Sequence, residues 1–448
     1  MERRLAVARS SAGGSNGARR RRARAAGALA LALVAVCLAG CGATLDDKPS
    51  AHVVAATLAP PPVSVSSACS ATALSTLSVV LQRIYHEGVE SERTASARYL
   101  IANSTALRSA VEANDEAGAR SALHALLATG HLTDVTIMRG SRTFAKVGGP
   151  ALAPLQGTLL GADGQPIATY TASVWADNGF LLESEGVTQG LVVLRSGTRS
   201  IGGSPSLPAS AVADEGTLTH AGVIYRYTSF PAVAYPSGAV RVYALVPLRA
   251  IARLCGRTAQ ETTVNTLERV AELIYEGEMG PTAAAQMRRV ERNQAFVQAV
   301  ARREPEAARL AIDSLLTEHI VRIRVSVGSK LLSDVGGPYV LGPVHAPLRL
   351  HGHTIGDVEL SIQDDEGYLR LARRLAGLDV LMYMNPDSSH PELVKDSLGP
   401  LPGPSLASVP VRGAFRYDGR SYQVFTVHAT AFPSGPLTIR VLVPTPYP

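Results

Sequence analysis

The sequence is poor in aromatic residues, which make up 5% of its 448 residues and include a single tryptophan, Trp175. Beyond the first forty residues it contains no Gly-x-Ser-x-Gly elbow, no P-loop and no His-Glu-x-x-His motif. These missing patterns leave no indication of a serine hydrolase, a nucleotide-phosphate site or a zinc peptidase. We therefore expect no catalytic residues, no metal and no cofactor, and we expect that the protein is not an enzyme.

Net positive charge is confined to the N-terminus. The whole chain carries a formal charge of +6, but residues 1–40 contain eight arginines and one glutamate, so the remaining residues carry −1. A nearly neutral chain without a cluster of basic and aromatic residues is not typical of a nucleic-acid-binding protein. We expect no nucleic-acid partner.

The first forty residues have the order of an export signal. A basic run ends at Arg24, and an uncharged apolar run of 16 residues continues to Gly40. That run is short for a membrane span but suits a secretory signal. Its end, Leu38-Ala39-Gly40-Cys41, resembles a bacterial lipoprotein signal. The resemblance implies cleavage before Cys41 and lipidation of its sulfur. An uncleaved signal anchor, or an ordinary signal with an incidental cysteine, is the alternative.

Proline, alanine and serine dominate the stretch that follows the signal. Residues 41–67 include Pro60-Pro61-Pro62, and this composition is typical of a partly extended tether. Two acyl chains give a stable membrane anchor. The expected location is the extracytoplasmic face of the cell membrane, where the lipid anchor holds the protein. No other stretch approaches 18 uninterrupted apolar residues, so a second membrane crossing is not expected.

The rest of the chain is one pattern used twice. Val147-Gly148-Gly149-Pro150 returns as Val335-Gly336-Gly337-Pro338, and Pro236-Ser237-Gly238 returns as Pro433-Ser434-Gly435. The order of the matched blocks is preserved, and the shift grows from 188 to 197 residues along the chain. We predict two domains, a first copy at residues 68–256 and a second copy at residues 257–448.

Each copy opens with helical periodicity and continues with strands. Leu74, Leu77 and Leu81 recur at helical spacing in the first copy, and Leu267, Val270 and Ile274 do so in the second. Strands are predicted at Val135–Met138, Ile167–Val174, Leu191–Leu194, Val223–Tyr227, Val240–Val246 and residues 319–327. We therefore predict an α+β fold in which N-terminal helices pack on a mainly antiparallel sheet in each copy.

This order of elements resembles the Cache (PAS-like) extracytoplasmic sensor domains. The resemblance rests on the helical opening, on Val335-Gly336-Gly337-Pro338, and on residues 361–368, Ser-Ile-Gln-Asp-Asp-Glu-Gly-Tyr, before a helix. It covers both copies and implies a pocket for a small molecule on one face of the sheet. Such domains usually transmit their signal to a transmembrane module. The resemblance therefore implies a membrane signalling protein as a partner. The arginine–tryptophan–tyrosine signature of the amino-acid-binding branch is missing around Trp175.

Two cysteines remain after the signal and Cys41 are set aside. Cys69 precedes the first helix of the first copy, and Cys255 follows its last strand. Domain termini are often close in space, and an extracytoplasmic compartment is oxidising. We predict a Cys69–Cys255 disulfide, with two buried thiols as the alternative.

Candidate ligand contacts are few, and each has a structural alternative. His351 and His353 are expected to be exposed turn residues, with metal ligation as the alternative. Residues 364–366 are expected to cap a helix, with cation binding as the alternative. Arg322 and Arg324 are expected on a solvated strand face, with a pocket for an acidic ligand as the alternative. Strand aromatics are more often core than ligand contacts. The candidate ligand-binding residues are Tyr170, Trp175, Tyr225, Tyr227, Arg324, Tyr368, Tyr383 and Tyr422.

The sequence supports two candidate functions. The first is a lipid-anchored sensor that binds a small molecule and acts through a membrane partner. The second is a cell-envelope structural or assembly lipoprotein that uses the same fold for protein–protein contacts.

Lipidation of Cys41 is testable by mass spectrometry. The mature protein is expected to begin at Cys41 and to carry a diacylglyceryl group on its sulfur, because the apolar run ends in small residues that a signal peptidase admits. An N-terminal peptide with an unmodified Cys41 would overturn this prediction.

Overall fold

A computed structural model describes residues 65–129, 132–208, 212–277, 279–316, 319–399 and 403–447. The signal at residues 1–40, Cys41 and residues 42–64 of the expected tether lie outside the described residues. Residues 61–448 form one compact unit to which both copies contribute.

The first copy opens with helices. They are α1 (Ser67–Glu90), α2 (Glu92–Ala102), α3 (Thr105–Glu112) and α4 (Glu116–Thr129), followed later by α5 (Asp177–Thr188) and α6 (Leu248–Leu254). Ser66 caps α1 by accepting a hydrogen bond from the Cys69 backbone at 3.1 Å. The Asp115 carboxylate accepts from Gly118 N at 2.9 Å, as an N-terminal cap of α4 does.

The strands of the first copy divide between two sheets. They are β1 (Asp134–Arg139), β2 (Arg142–Gly148), β3 (Ala151–Leu152), β4 (Leu155–Leu160), β5 (Pro166–Ser173), β6 (Trp175–Ala176), β7 (Leu191–Ser196), β8 (Arg199–Gly203), β9 (Glu215–His220), β10 (Val223–Tyr235) and β11 (Gly238–Pro247). One sheet has the order β2-β1-β5-β4. The other has the order β6-β3-β10-β11-β7-β8, with β9 also paired to β10. Every pairing is antiparallel.

The second copy repeats this plan. Its helices are α7 (Ala259–Gly277), α8 (Pro281–Arg292), α9 (Gln294–Arg302), α10 (Pro305–Leu315) and α11 (Asp365–Ala376). Its strands are β12 (Arg322–Val327), β13 (Lys330–Gly336), β14 (Val340–Leu341), β15 (Val344–Leu350), β16 (His353–Ser361), β17 (Asp379–Met384), β18 (Glu392–Asp396), β19 (Gly413–Tyr417), β20 (Arg420–Phe432) and β21 (Gly435–Pro444). The sheet orders are β13-β12-β16-β15 and β14-β20-β21-β17-β18, with β19 on β20.

The duplicated α+β fold with antiparallel sheets is confirmed. Even the irregularities return, because the bulge between Ile137 and Met138 in β1 has its counterpart between Val325 and Ser326 in β12. Two details go beyond the sequence analysis. Each copy has two sheets, and among the described residues three helices lie between the opening helix and the first strand of each copy.

The glycine of each repeated Val-Gly-Gly-Pro block serves a close backbone approach. Gly148 has a φ of +108°, and a Cβ there would lie 2.4 Å from the Thr133 carbonyl oxygen. Gly336 has a φ of +140°, and a Cβ there would lie 2.4 Å from the Val321 carbonyl oxygen. Glycine adopts such a positive φ without steric cost, and the first glycine of each pair uses it.

One apolar cluster joins the two copies. It contains Leu81 and Ile84 of α1 together with Leu267 and Val270 of α7 and many strand residues of both copies. α1 packs against α7 and α11, and α7 packs against α5. The Tyr368 hydroxyl at the start of α11 donates to the Ala271 carbonyl at 3.2 Å. The opening helices of the two copies therefore form a shared helical layer.

The predicted disulfide is confirmed. Cys69 in α1 is bonded to Cys255, directly after α6, with 5.6 Å between their Cα atoms. The bond closes a loop of 186 residues around the first copy.

Loss of the disulfide is expected to destabilise the protein. A paired Cys69→Ser and Cys255→Ser variant removes the loop constraint from the unfolded chain, which for so long a loop corresponds to about 4–5 kcal/mol in the entropic model. Urea unfolding of the variant and of the parent, with and without reductant, measures the difference. A parent whose unfolding midpoint does not respond to reductant would contradict the prediction.

Candidate functional site

The second copy has a groove on its surface. It consists of two adjoining cavities of about 320 and 270 Å³ that share Glu291. Its walls come from α8 and from β15, the edge strand of its sheet. The lining residues are Met279, Ala284, Met287, Arg288, Glu291, Val344, His345, Pro347 and Arg349. We call this feature the α8–β15 groove.

The groove combines an apolar floor with charged walls. Met287 is 7% exposed and belongs to the apolar cluster of this half of the second copy. Arg288, Arg349 and Glu291 are exposed at the rim. The His345 imidazole lies 3.2 Å from a Glu359 carboxylate oxygen. Small-molecule sites commonly pair apolar contact area with a few polar groups that fix orientation.

In the first copy an aromatic side chain of β5 lies against β4, the strand that corresponds to β15. Tyr170 of β5 is 5% exposed and pairs with Gly157 of β4. Its hydroxyl is so close that a Cβ on Gly157 would lie 2.3 Å from it. At the same register the second copy pairs the smaller residues Val358 and Ala346. The first copy therefore has a large aromatic side chain where the second copy has smaller residues, and Val358 is itself packed at 1% exposure.

The other candidate aromatics lie in the packed interior. Trp175 donates from Nε1 to the Ile84 carbonyl at 3.1 Å, and Tyr383 donates to the Pro404 carbonyl at 2.7 Å. Tyr225 and Tyr227 lie together in one small cluster, and Tyr383 and Tyr422 lie together in another. None of the sequence candidates is among the residues that line the α8–β15 groove.

Arg324 is partly exposed and contacts two neighbouring side chains. Its Nε lies 3.3 Å from an Asp334 carboxylate oxygen, and its guanidinium lies over the Phe432 ring at 5.2 Å. Arg322 shares both partners, with its Nε 2.8 Å from Asp334. The Arg322 side chain is only 12% exposed. Asp334 and Phe432 therefore cover most of Arg322, whereas the Arg324 side chain is 34% exposed and keeps part of the solvated strand face that was expected.

The first copy has the same arrangement with the charges exchanged. Asp134 occupies the place of Arg322, and Lys146 occupies the place of Asp334. The Lys146 ammonium lies 3.9 Å from Asp134 and 4.9 Å from the centre of the Tyr235 ring. In each copy a cation thus lies between a carboxylate and an aromatic ring at the end of the long hairpin.

Asp134 is more deeply buried than Asp334, the carboxylate of the second copy. Its side chain is 1% exposed, and neither carboxylate oxygen accepts a hydrogen bond from the described residues. Burial raises the pKa of Asp134 to about 6, against a partial lowering by Lys146.

A second buried carboxylate joins the copies. Glu87 of α1 forms an ion pair with Arg374 of α11, and Arg374 also lies 3.7 Å from Glu183 of α5. Burial raises the pKa of Glu87 to about 7, and the neighbouring Glu183 adds to the rise while Arg374 and Arg93 oppose it.

The remaining sequence motifs have structural roles. Asp364 caps α11 by accepting from Gly367 N at 2.6 Å, as expected for residues 364–366. His351 and His353 are exposed at the turn between β15 and β16. Among the described residues no group of histidine, cysteine and carboxylate side chains could hold a metal ion. Within the same residues no helix is long and apolar enough to cross a membrane.

The residues of the α8–β15 groove were not found from the sequence. A usable signal was present in the repeat itself, because the shift of 188 residues places Val358 against Tyr170 and Gln363 against Trp175. Both exchanges replace a large aromatic residue by a smaller one in the second copy.

Comparison with known proteins yields no family model and no curated protein that matches the chain. Two solved structures are similar to parts of it. The periplasmic domain of Vibrio cholerae LuxQ has a TM-score of 0.26 at 13% identity and covers 39% of this chain and 99% of its own. An extracellular ligand binding receptor from Desulfohalobium retbaense has a TM-score of 0.24 at 11% identity and covers 51% of this chain and 47% of its own. With TM-scores this low, neither likeness supports a conclusion about this chain.

The buried carboxyl of Asp134 makes stability pH-dependent. Its pKa lies above the usual value, so the folded state holds the proton more tightly than the unfolded state, and folding gains as the pH falls through 6 towards 4. Asp134→Asn removes the buried charge. We expect it to raise the free energy of unfolding at neutral pH by about 1–3 kcal/mol and to weaken the gain towards acid pH, as measured by urea unfolding.

Asp163→Asn, in an exposed turn, is the matched control and is expected to leave the profile unchanged. An Asp134→Asn variant that is less stable than the parent at neutral pH would show that the ionised carboxylate is well satisfied.

Proposed function

We propose that the protein is a lipid-anchored extracytoplasmic sensor that binds a small molecule in the α8–β15 groove and acts through a membrane protein partner. The observation that carries the proposal is the groove itself, whose larger cavity is about 320 Å³. The lipoprotein-like signal ending at Cys41 supports the anchor and the location. The resemblance of both copies to Cache sensor domains supports the sensing role.

The chemistry of the groove suits recognition of a small ligand. Met279 and Met287 offer polarisable apolar surface that adapts to the shape of a ligand. Arg288 and Arg349 offer hydrogen-bond donors with positive charge, and Glu291 offers a carboxylate. This combination can hold an apolar body and orient a polar group at the rim.

Signalling would use the shared helical layer. α8 follows α7 after residues 278–280, and α7 packs directly against α1 and α11. A ligand that draws α8 towards β15 therefore bears on the helix that joins the two copies. A partner protein in the membrane would read the resulting change in this layer.

A second candidate function is envelope assembly through protein contacts. The observation that favours it is the set of exposed apolar side chains away from the groove, among them Leu182 at 69%, Tyr99 at 67% and Leu310 at 64% exposure. The buried position of the candidate aromatics also fits a fold that serves as a scaffold.

A groove-filling variant separates the two functions. Ala284 is exposed on the groove wall, so Ala284→Trp would occupy the groove while leaving the core intact. In a broad thermal-shift screen on the full chain, we expect at least one small molecule to raise the melting temperature of the parent by a few degrees, because binding only the folded state stabilises it. The same compound is expected to have no effect on Ala284→Trp.

Ala95→Trp on α2 of the first copy is the matched control, because Ala95 is also exposed on the second helix of its copy. It is expected to keep the full response. A well-folded parent that responds to no compound, together with capture of a protein partner that persists in Ala284→Trp, would replace the sensor by the assembly protein.

A further inference from the structure

Three separate segments of the second copy meet at one end of its four-stranded sheet. β12 and β16 are antiparallel neighbours, with Ser326 opposite Asp357, so β12 ends where β16 begins. The β12–β13 turn and the β15–β16 turn therefore lie at the same end of the sheet. The last turn of α9 lies there as well, because a Cβ on Gly356 would be 3.2 Å from Val300 Cγ1 and 3.6 Å from Val327 Cγ2.

Each of these segments contributes exposed basic side chains, which we call the basic tip. They are Arg302 and Arg303 at the end of α9, Lys330 after the first turn and Arg349 before the second. No ion pair joins any of the four to another described residue, and the nearby Glu306 pairs with Arg309 instead. Two exposed carboxylates, Glu304 and Asp357, lie beside the tip in the chain, so the tip keeps an excess of positive charge.

The corresponding end of the first copy uses its basic side chains internally. Arg139 donates to the Asn114 side chain at 2.7 Å, and Arg142 forms an ion pair with Glu116. At the position of Arg349 the repeat shift of 188 residues places a glycine of the first copy. The unpaired cations are therefore a property of the second copy and not of the repeated fold.

An exposed leucine accompanies the cations. Leu331 directly follows Lys330 and is 48% exposed. It lies opposite Ser326 of β12, and the residue at the same register in the first copy is Thr143, opposite Met138 of β1. Basic residues beside an exposed apolar side chain suit an anionic lipid surface, because the cations attract the headgroups and the apolar group enters the interface.

The N-terminal chain is long enough to let this end approach a membrane. Residues 42–64 connect the expected lipid attachment at Cys41 to the described chain. Fully extended, these residues span about 80 Å, against a radius of gyration of about 21 Å for a compact unit of this size. An anchored chain can therefore present the basic tip to the membrane.

We propose that the basic tip of the second copy docks on the anionic headgroups of the membrane surface, with Leu331 entering the interface. This inference rests on the membrane-attached location in the proposed function, but not on ligand binding in the groove. The tip adjoins the groove through Arg349, which lines it. Docking would therefore hold the second copy in a fixed orientation, with one end of the groove next to the headgroups.

Hydrogen–deuterium exchange of the full chain in the presence of vesicles tests the contact. Phosphatidylcholine vesicles with an equal part of phosphatidylglycerol are compared with vesicles of phosphatidylcholine alone. We expect the backbone amides of residues 328–330 and 350–353 to exchange about fivefold more slowly with the anionic vesicles, because each cation near an anionic surface adds about fivefold in affinity. The difference is expected to disappear at about 1 M salt, where the screening length is about 3 Å. A lipid anchor brings the chain to both kinds of vesicle, so the comparison does not depend on it.

A paired Arg303→Gln and Lys330→Gln variant removes two of the four cations and leaves the groove residues unchanged. It is expected to weaken the contact about 25-fold, so that the slowing by anionic vesicles is lost. A paired Arg139→Gln and Arg142→Gln variant makes the same change of charge at the corresponding end of the first copy and is expected to keep the slowing. If the first variant does not fold, Leu331→Thr, which introduces the residue of the first copy, serves in its place with a reduced slowing expected.

Equal exchange with the two kinds of vesicle overturns the proposal, and so does the same loss of slowing in the first-copy control. Soluble polyglutamate that slows the same amides as strongly as the anionic vesicles do would replace the membrane by an acidic protein partner. None of these outcomes bears on the groove, and the broad thermal-shift screen still decides the sensing function by itself.

Discussion

The packing of α1 against α7 is the contact on which the rest of the structure depends. Each helix opens one copy, and each would present a wide apolar face to water if the other were absent. The cluster around Ile84 and Leu267 extends from this contact into the strands of both copies. Burial of apolar area is the main favourable term in folding. The two copies therefore stabilise one another and are not independent domains.

The shared helical layer also explains why the copies can differ elsewhere. Each copy contributes equivalent helices, since α1 meets α11 as α7 meets α5. The arrangement is that of a symmetric pair, but both members lie on one chain. Substitutions in one half are therefore not imposed on the other. The first copy has the large aromatic residues Trp175 and Tyr170, whereas the second copy has Val358 and Gln363 in their places, and the buried Gln363 amide has no hydrogen-bond partner among the described residues.

Much of the fold could be predicted from the sequence. Apolar spacing identified the opening helices and most central strands, because an element that is buried on one face has apolar residues at a regular spacing. The ordered repeat identified the duplication, and the isolated positions of Cys69 and Cys255 identified the disulfide. The division of each copy into two sheets could not be predicted, because strand pairing depends on contacts between distant residues such as Asp134 and Ser173.

The candidate site was less predictable. Tyr225 and Tyr383 were candidates as aromatic residues on predicted strands, for which core packing is the commoner role, and both pack in the interior. Arg349 and Glu291 carry no local pattern that separates them from ordinary surface charges. A groove is formed by elements that meet only in three dimensions, so its residues share no spacing. Comparison of the two copies, position by position, is the route by which the sequence could have shown the asymmetry.

The exchanged charges have a consequence for how the chain sorts its own strands during folding. Two copies of one fold on one chain can misassemble, because a strand of one copy can pair with the corresponding partner strand of the other. If β1 paired with β13, Asp134 would meet Asp334. If β12 paired with β2, Arg322 would meet Lys146. Both mistaken pairings bring like charges into a poorly solvated layer, whereas both native pairings bring opposite charges together. The exchanged charges therefore favour the native strand pairing within each copy over pairing with a strand of the other copy.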